Sequence, residues 1–186
     1  GDRLVVGSNQ GAPYIFERQA NGTWAEVQKL VVTDGFAGQQ FGFSVAIHED
    51  RVVVGAVGDD DNGTESGSVY VFERQTSGNW TQVQKVIASS GAPDDHFGWH
   101  VAIHGDRFVV GVKDDDTQGP SGGAVYVFER QTSGTWTETK KIVASDGAKY
   151  DYFGFHVAID GGRILVGAHG EDASGSAYLF EVAPVC

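Results

Sequence analysis

Two runs of consecutive carboxylates are the densest chemistry in the chain: Asp59-Asp60-Asp61 and Asp114-Asp115-Asp116. Adjacent Asp side chains and the carbonyls between them offer hard oxygen ligands, which a calcium ion collects in sets of about six to eight. The same residue types also build turns and keep loops solvated, and Asp59-Asp60-Asp61-Asn62-Gly63 departs from the spacing of an EF-hand loop. The expectation is no obligatory cofactor, with calcium at the two Asp runs as the metal to consider. Imidazoles recur too: His48 with His104, and His100 with His156, each pair 56 residues apart. Repeated imidazoles either gather a metal or satisfy local hydrogen bonds along a wet channel. Trp24, Trp80 and Trp136 share that 56-residue spacing. They offer ring faces for sugar stacking, as a ligand-binding platform, or bulk for packing.

Catalysis finds little to work with. Gly119-Pro120-Ser121-Gly122-Gly123 matches the nucleophile-elbow pattern by letter, but that pattern works on a strand-to-helix turn and no helical pattern follows it here. The acids lie in loop runs rather than as an isolated pair in a cleft, so no catalytic residue is assigned and a hydrolase or lyase is the weakest reading. Three Asn-x-Thr sites, at Asn21, Asn62 and Asn79, match the N-glycosylation pattern and point to an extracellular setting. The Asn-Gly pairs at Asn21 and Asn62 are also good hairpin-turn chemistry. The one cysteine is Cys186. It excludes an internal disulfide and leaves an intermolecular one open.

A repeat positions all of these residues. Phe41-Gly42-Phe43-Ser44-Val45-Ala46-Ile47 returns as Phe97-Gly98-Trp99-His100-Val101-Ala102-Ile103 and as Phe153-Gly154-Phe155-His156-Val157-Ala158-Ile159. A fixed period of this length marks a repeat architecture. Each copy alternates, so Phe41, Phe43, Val45 and Ile47 are expected on one face and Gly42, Ser44 and Ala46 on the other. The thin face suits close packing on a neighbouring sheet, and Trp99, on the bulky face, is expected in the core. A short turn follows each copy, then an apolar run (Arg51 to Gly55, Arg107 to Gly111, Arg163 to Gly167). A third strand runs through Tyr70, Tyr126 and Tyr178, and a fourth opens at Trp80 and Trp136. Val, Ile and aromatic residues dominate all four strands, with Gly, Asp and Ser between them. In an antiparallel meander the two Asp runs then fall at the same end of their sheets.

The motif Phe-Gly-x-Ser/His-Val-Ala-Ile followed by Asp/Gly-Arg-x-x-Val-Gly resembles the FG-GAP repeat, over essentially the whole chain. That family builds the β-propeller head of integrin α chains and of related extracellular proteins, including a mushroom lectin. The resemblance implies an all-β, propeller-type array of four-stranded antiparallel blades, with the first strand innermost and the fourth outermost. It also implies extracellular recognition or adhesion without catalysis. The Asp-rich calcium loop of integrin-type repeats is missing: His48-Glu49-Asp50, His104-Gly105-Asp106 and Asp160-Gly161-Gly162 stand in its place. They are too short to wrap a calcium ion, and the variant resembles a subgroup of microbial surface proteins.

The 186 residues read as one domain over 1–186, with repeats over about 1–34, 35–90, 91–146 and 147–186. The first and last are partial, which gives two complete and two incomplete blades. The chain opens within a repeat, as a processed or partial product would, and no signal peptide is seen. A formal net charge of −12 argues against nucleic acid and anionic membrane surfaces, and no apolar run is long enough for membrane insertion. The reading is a non-enzymatic extracellular module for recognition, adhesion or assembly, with a protein or glycan ligand. A lectin with sites between blades is the alternative. Open sheet edges at both ends predict a homo-oligomer, ring or head-to-tail filament, with the tail from Val182 to Cys186 lying on the next subunit.

Overall fold

The computed structural model describes residues 1–8, 11–34, 39–170 and 174–183. It is all β, with fourteen strands in four antiparallel meanders among the described residues. The first sheet holds β1 (Arg3–Ser8), β2 (Gly11–Arg18) and β3 (Trp24–Lys29). The second holds β4 (Phe41–His48), β5 (Arg51–Ala56), β6 (Ser68–Arg74) and β7 (Trp80–Val86). The third holds β8 (His100–His104), β9 (Arg107–Val112), β10 (Ala124–Arg130) and β11 (Trp136–Ile142). The last holds β12 (Phe153–Asp160), β13 (Arg163–Ala168) and β14 (Ser176–Glu181). Two sheets of four strands lie between two of three, as the repeat predicts.

The core lies between the sheets. Alternate residues of the β5 run face opposite ways: Val52 and Val54 pack with Ile15 and Leu30 of the first sheet, while Val53 packs with Phe108 and Val110 of the third. One register on, Val109, Val125 and Val127 pack with Ile164 and Val166 of the last sheet. Every inner sheet is therefore apolar on both faces. Its central strands read as continuous Val-rich runs, because neither face meets water.

Glycine sets the spacing. A Cβ on Gly7, Gly55 or Gly111 would overlap the carbonyl oxygen of Gly42, Gly98 or Gly154 in the next sheet. The Phe-Gly glycines also carry φ values of 98°, 98° and 90°, in the left-handed region that glycine enters freely. Just before them, Phe97 and Phe153 donate their amides to Ser66 and Gly122 of the preceding sheet, at 2.8 and 3.0 Å. Close packing of the thin face thus holds at the glycine.

The simple alternation does not hold. The β4–β5 and β12–β13 registers slip, between Phe41 and Ser44 and between Phe153 and His156. Phe41, Val45 and Ile47 join the core between the first two sheets, while Phe43 is turned to the inner side, where it lines a groove. Trp99 follows Phe43 and is half-buried there, not in the core as the alternation predicted.

Charge pairs bind successive sheets at the other end. Arg3 reaches Asp50 (2.9 Å) and Arg51 reaches Asp106 (3.0 Å). Arg74 reaches back to Glu17 (3.4 Å) and Arg130 to Glu73 (2.8 Å). The tail differs from expectation where it is described. Val182 donates its amide to Gly162, and the Ala183 carbonyl accepts from Arg107 of the same chain.

Gly111 has ordinary φ, so Gly111→Ala tests the inter-sheet contact alone. The variant should lose about 1–3 kcal/mol of stability, as overpacking does. Gly22→Ala, at a positive-φ turn with nothing within 4 Å of the added Cβ, should cost only about 1 kcal/mol of backbone strain. Equal denaturant midpoints for the two variants would contradict the contact.

Candidate functional site

Two places gather polar chemistry: the acidic loops between β5 and β6 and between β9 and β10, and the inner groove.

In the first loop the carboxylates converge on an ammonium group. Asp59 is fully buried; it accepts from Lys85 Nζ at 2.8 Å and from Gln39 at 2.7 Å. Asp61 accepts from the same Nζ at 2.6 Å, and Asp60 receives the Glu65 amide at 2.8 Å. Burial opposes the Lys85 charge, yet the hydrogen bonds to Asp59 and Asp61 outweigh it and raise the lysine's pKa. The second loop repeats the plan. Asp115 is buried and accepts from Lys141 Nζ (2.7 Å) and the Tyr126 hydroxyl (2.9 Å). Burial works against its carboxylate, but the Lys141 and Thr117 hydrogen bonds hold its pKa below the ordinary range. Asp116 takes the Ser121 amide at 2.9 Å, and Asp114 pairs with Lys113 and, at 2.8 Å, with His96. The Asp114 hydrogen bond raises the His96 pKa against the effect of burial. Strand-borne lysines thus stand where the carboxylates converge. Among the described residues no three His, Cys, Asp or Glu side chains are grouped to hold a metal ion.

The groove has a volume of about 310 Å³ and is lined by β4, β8, β12 and the residues leading into β8. Because the bulge turns the second aromatic inward, Phe43, Trp99 and Phe155 form a row. Trp99 lies 4.8 Å from Phe43 and 5.7 Å from Phe155, centroid to centroid. Lys113 Nζ stands 4.1 Å from the Trp99 ring centre, a cation–π distance, and His169 stacks on Phe155 at 5.0 Å. Beside the row, Ser44, His100 and His156 occupy equivalent positions. Ser44 Oγ donates to the Gly98 carbonyl at 2.7 Å, and the two imidazoles meet edge to face at 5.0 Å. Burial, then the neighbouring His156, lowers the His100 pKa and favours its neutral imidazole. The His48 and His104 rings lie 4.6 Å apart, tilted by 33°, nearer the turn, where His104 Nδ1 lies 3.2 Å from Asp160.

The tryptophans divide. Trp80 and Trp136 are buried, only 3% and 2% exposed, so no ring face is open for the sugar platform raised as one reading. Their packing is inter-sheet: Gln28 clasps the Trp80 backbone N–H and C=O, and Gln84 clasps those of Trp136, at 2.7–2.8 Å. Trp24, on the end sheet, is 41% exposed.

The three Asn-x-Thr asparagines also divide. Asn21 and Asn79 are exposed at turns. The Asn62 amide nitrogen, the atom that would carry a glycan, donates instead to the Gly91 carbonyl at 2.9 Å. Its counterpart Gln118 does the same to Ala144, so Asn62 acts as a loop tie. Cys186, like Glu171 and Asp172, lies outside the described residues.

The groove was missed in the sequence because the bulge reverses Phe43, Trp99 and Phe155. The positive-φ demand of a Gly repeated inside a strand was the available signal.

A profile of the FG-GAP repeat matches residues 24–72, 80–128 and 136–180. Each match opens on the outermost strand of one sheet and closes on the third strand of the next, so the repeat unit straddles an inter-sheet contact. Integrin alpha-7 from Rattus norvegicus is 27% identical over 126 residues, 64% of this chain and 11% of that protein. The chain therefore spans about a tenth of the length of this relative.

Two outcomes test the loop chemistry. Lys85→Met should destabilise by about 3–5 kcal/mol, because Asp59 would be left buried and unpaired; an unchanged melting temperature would contradict the pairing. Asp95, buried between sheets, has its carboxyl pushed up to about 6 by burial. A raised acid pKa favours the fold below the unfolded value of about 4, and that benefit is lost as pH climbs through about 6. Asp95→Asn should therefore gain about 1–3 kcal/mol at pH 7.5 and change little at pH 4. Urea titrations at both pH values check this; an equal effect at both would refute it.

Proposed function

The chain belongs to the FG-GAP repeat family, and from that membership we propose that it is a non-enzymatic, extracellular adhesion or recognition module whose ligand enters the inner groove. The observation that carries the reading is the row Phe43–Trp99–Phe155, which leaves half-buried aromatic surface facing a cavity. Large apolar side chains beside a few fixed polar groups are the usual make-up of a binding cleft. The groove's polar groups favour binding over catalysis: Ser44 donates to a backbone carbonyl rather than to an imidazole, so no activated nucleophile is built there. The exposed Asn21 and Asn79 sites fit an extracellular setting. No helix among the described residues is long and apolar enough to cross a membrane.

A protein ligand is the first reading. A glycan ligand is the second, favoured by the indole of Trp99, whose face suits stacking on a sugar ring. An immobilised-ligand screen with extracellular proteins beside a glycan array decides between them. Wild-type protein should bind one class, and Trp99→Ala should weaken that binding by about tenfold or more, as loss of a central aromatic anchor does. Binding unaffected by Trp99→Ala would remove the groove from the account. Binding to neither class would remove the recognition reading.

A further inference from the structure

We propose that His100 is an acid-sensitive latch on the seam between β8 and β12: neutral, it holds the seam and the groove closed; protonated, it opens both. One hydrogen bond carries the argument. The Val157 amide of β12 donates across the seam to His100 Nδ1 at 3.4 Å. A ring nitrogen that accepts carries no proton, so the neutral imidazole keeps its proton on Nε2. A second proton has to enter at Nδ1. It turns the acceptor into a donor facing an N–H group and leaves the Val157 amide without its partner. It also sets a charge against His156, whose ring meets that of His100 edge to face at 5.0 Å. Both imidazoles line the groove beside Trp99 and Phe155, so a parted seam widens it. One repeat earlier the Ser44 hydroxyl spans the preceding seam instead, donating to Gly98 at 2.7 Å, and it does not titrate in this range. The Val157 bond also argues against a metal at His100, because a metal on Nε2 would displace the proton that the bond requires there.

Among the described residues that line the groove, no carboxylate faces His100 to offset that charge. β4 brings Ser44 to the groove, β9 sets Gly111 opposite His100, and β12 brings His156. The charged side chains of the strands packed on β8 gather at the turn end and are already paired: Arg51 with Asp106, Arg107 with Glu129, and Asp160 with His104. His48 of β4 lies there too, its ring 4.6 Å from that of His104. Above the aromatic row, Lys113 is held by Asp114 and His169 by Phe155. Protonating His104 strengthens its contact with Asp160, but that carboxylate is exposed and the gain is screened. Burial and His156 both lower the His100 pKa in the closed seam. An opened seam returns the ring to water and towards the ordinary value of about 6.5. The proton therefore binds the open form more tightly, and closure weakens as pH falls below about 6.5. As regulation, acid should empty the groove of its ligand; that consequence rests on the groove being the binding site, whereas the opening does not.

Amide exchange at Val157 tests the latch without any ligand, as protection relative to an unstructured chain at the same pH. Val109, inside the third sheet, is the reference. Between pH 7.5 and 5.0 Val157 should lose about tenfold in protection, with a midpoint below about 6.5, while Val109 keeps its own. His100→Asn, whose Oδ1 takes the place of Nδ1 as acceptor and does not protonate, should keep Val157 protected at both pH values. His100→Ala should expose it at both. Equal protection of Val157 at the two pH values would overturn the proposal. So would an equal acid loss at Val109, which marks general loosening, or an acid loss that persists in His100→Asn.

Discussion

Backbone contact between glycines of successive sheets is the constraint on which the rest depends. Gly7, Gly55 and Gly111 lie directly under the carbonyls of Gly42, Gly98 and Gly154, with no room for a Cβ between them. That approach brings the Phe97 and Phe153 amides within hydrogen-bonding reach of the preceding sheet. The contact sets the offset between sheets, and the Val, Phe and Tyr side chains fill the space that remains. The positive φ at the same glycines swings Phe43, Trp99 and Phe155 towards the inner side. One backbone feature therefore joins the sheets and lines the groove with aromatic rings.

Electrostatics follows the same geometry. Buried carboxylates are costly unless they are paired and hydrogen-bonded. In the loops of the two inner sheets, Lys85 and Lys141 arrive from the outermost strand and supply that pairing from within the chain. Asp59 and Asp115 thereby become structural anchors, with Asp60 and Asp116 holding loop amides. At the opposite end, the Arg, Asp and Glu ladder links sheet to sheet, so both ends carry charge while the middle stays apolar.

Much of this was legible in the sequence. The 56-residue period, the four strands of each inner sheet and the partial end sheets follow from turn residues and β-branched runs, because those signals are local. The thin glycine face was readable for the same reason. The inward turn of Trp99 was not, since strict alternation assumes a regular strand and the bulge breaks it. The burial of Trp80 and Trp136 is a tertiary effect: the preceding sheet covers those rings, and Trp24 stays exposed because its sheet has no such cover among the described residues. Likewise the pairing of Asp59 with Lys85 joins residues 26 apart, and only the fold brings them together.

Amide hydrogen exchange at Phe97 and Phe153 tests most directly the claim that backbone contact unites the sheets. Their N–H groups bond across the inter-sheet seam, whereas those of Val53 and Val109 lie in the ladders of single sheets. Amides that open only with global unfolding exchange at a common free energy. If the sheets form one cooperative body, the two Phe amides should exchange as slowly as the ladder amides. Rapid exchange at Phe97 and Phe153 with Val53 and Val109 still protected would show sheets that open independently, and would contradict the account.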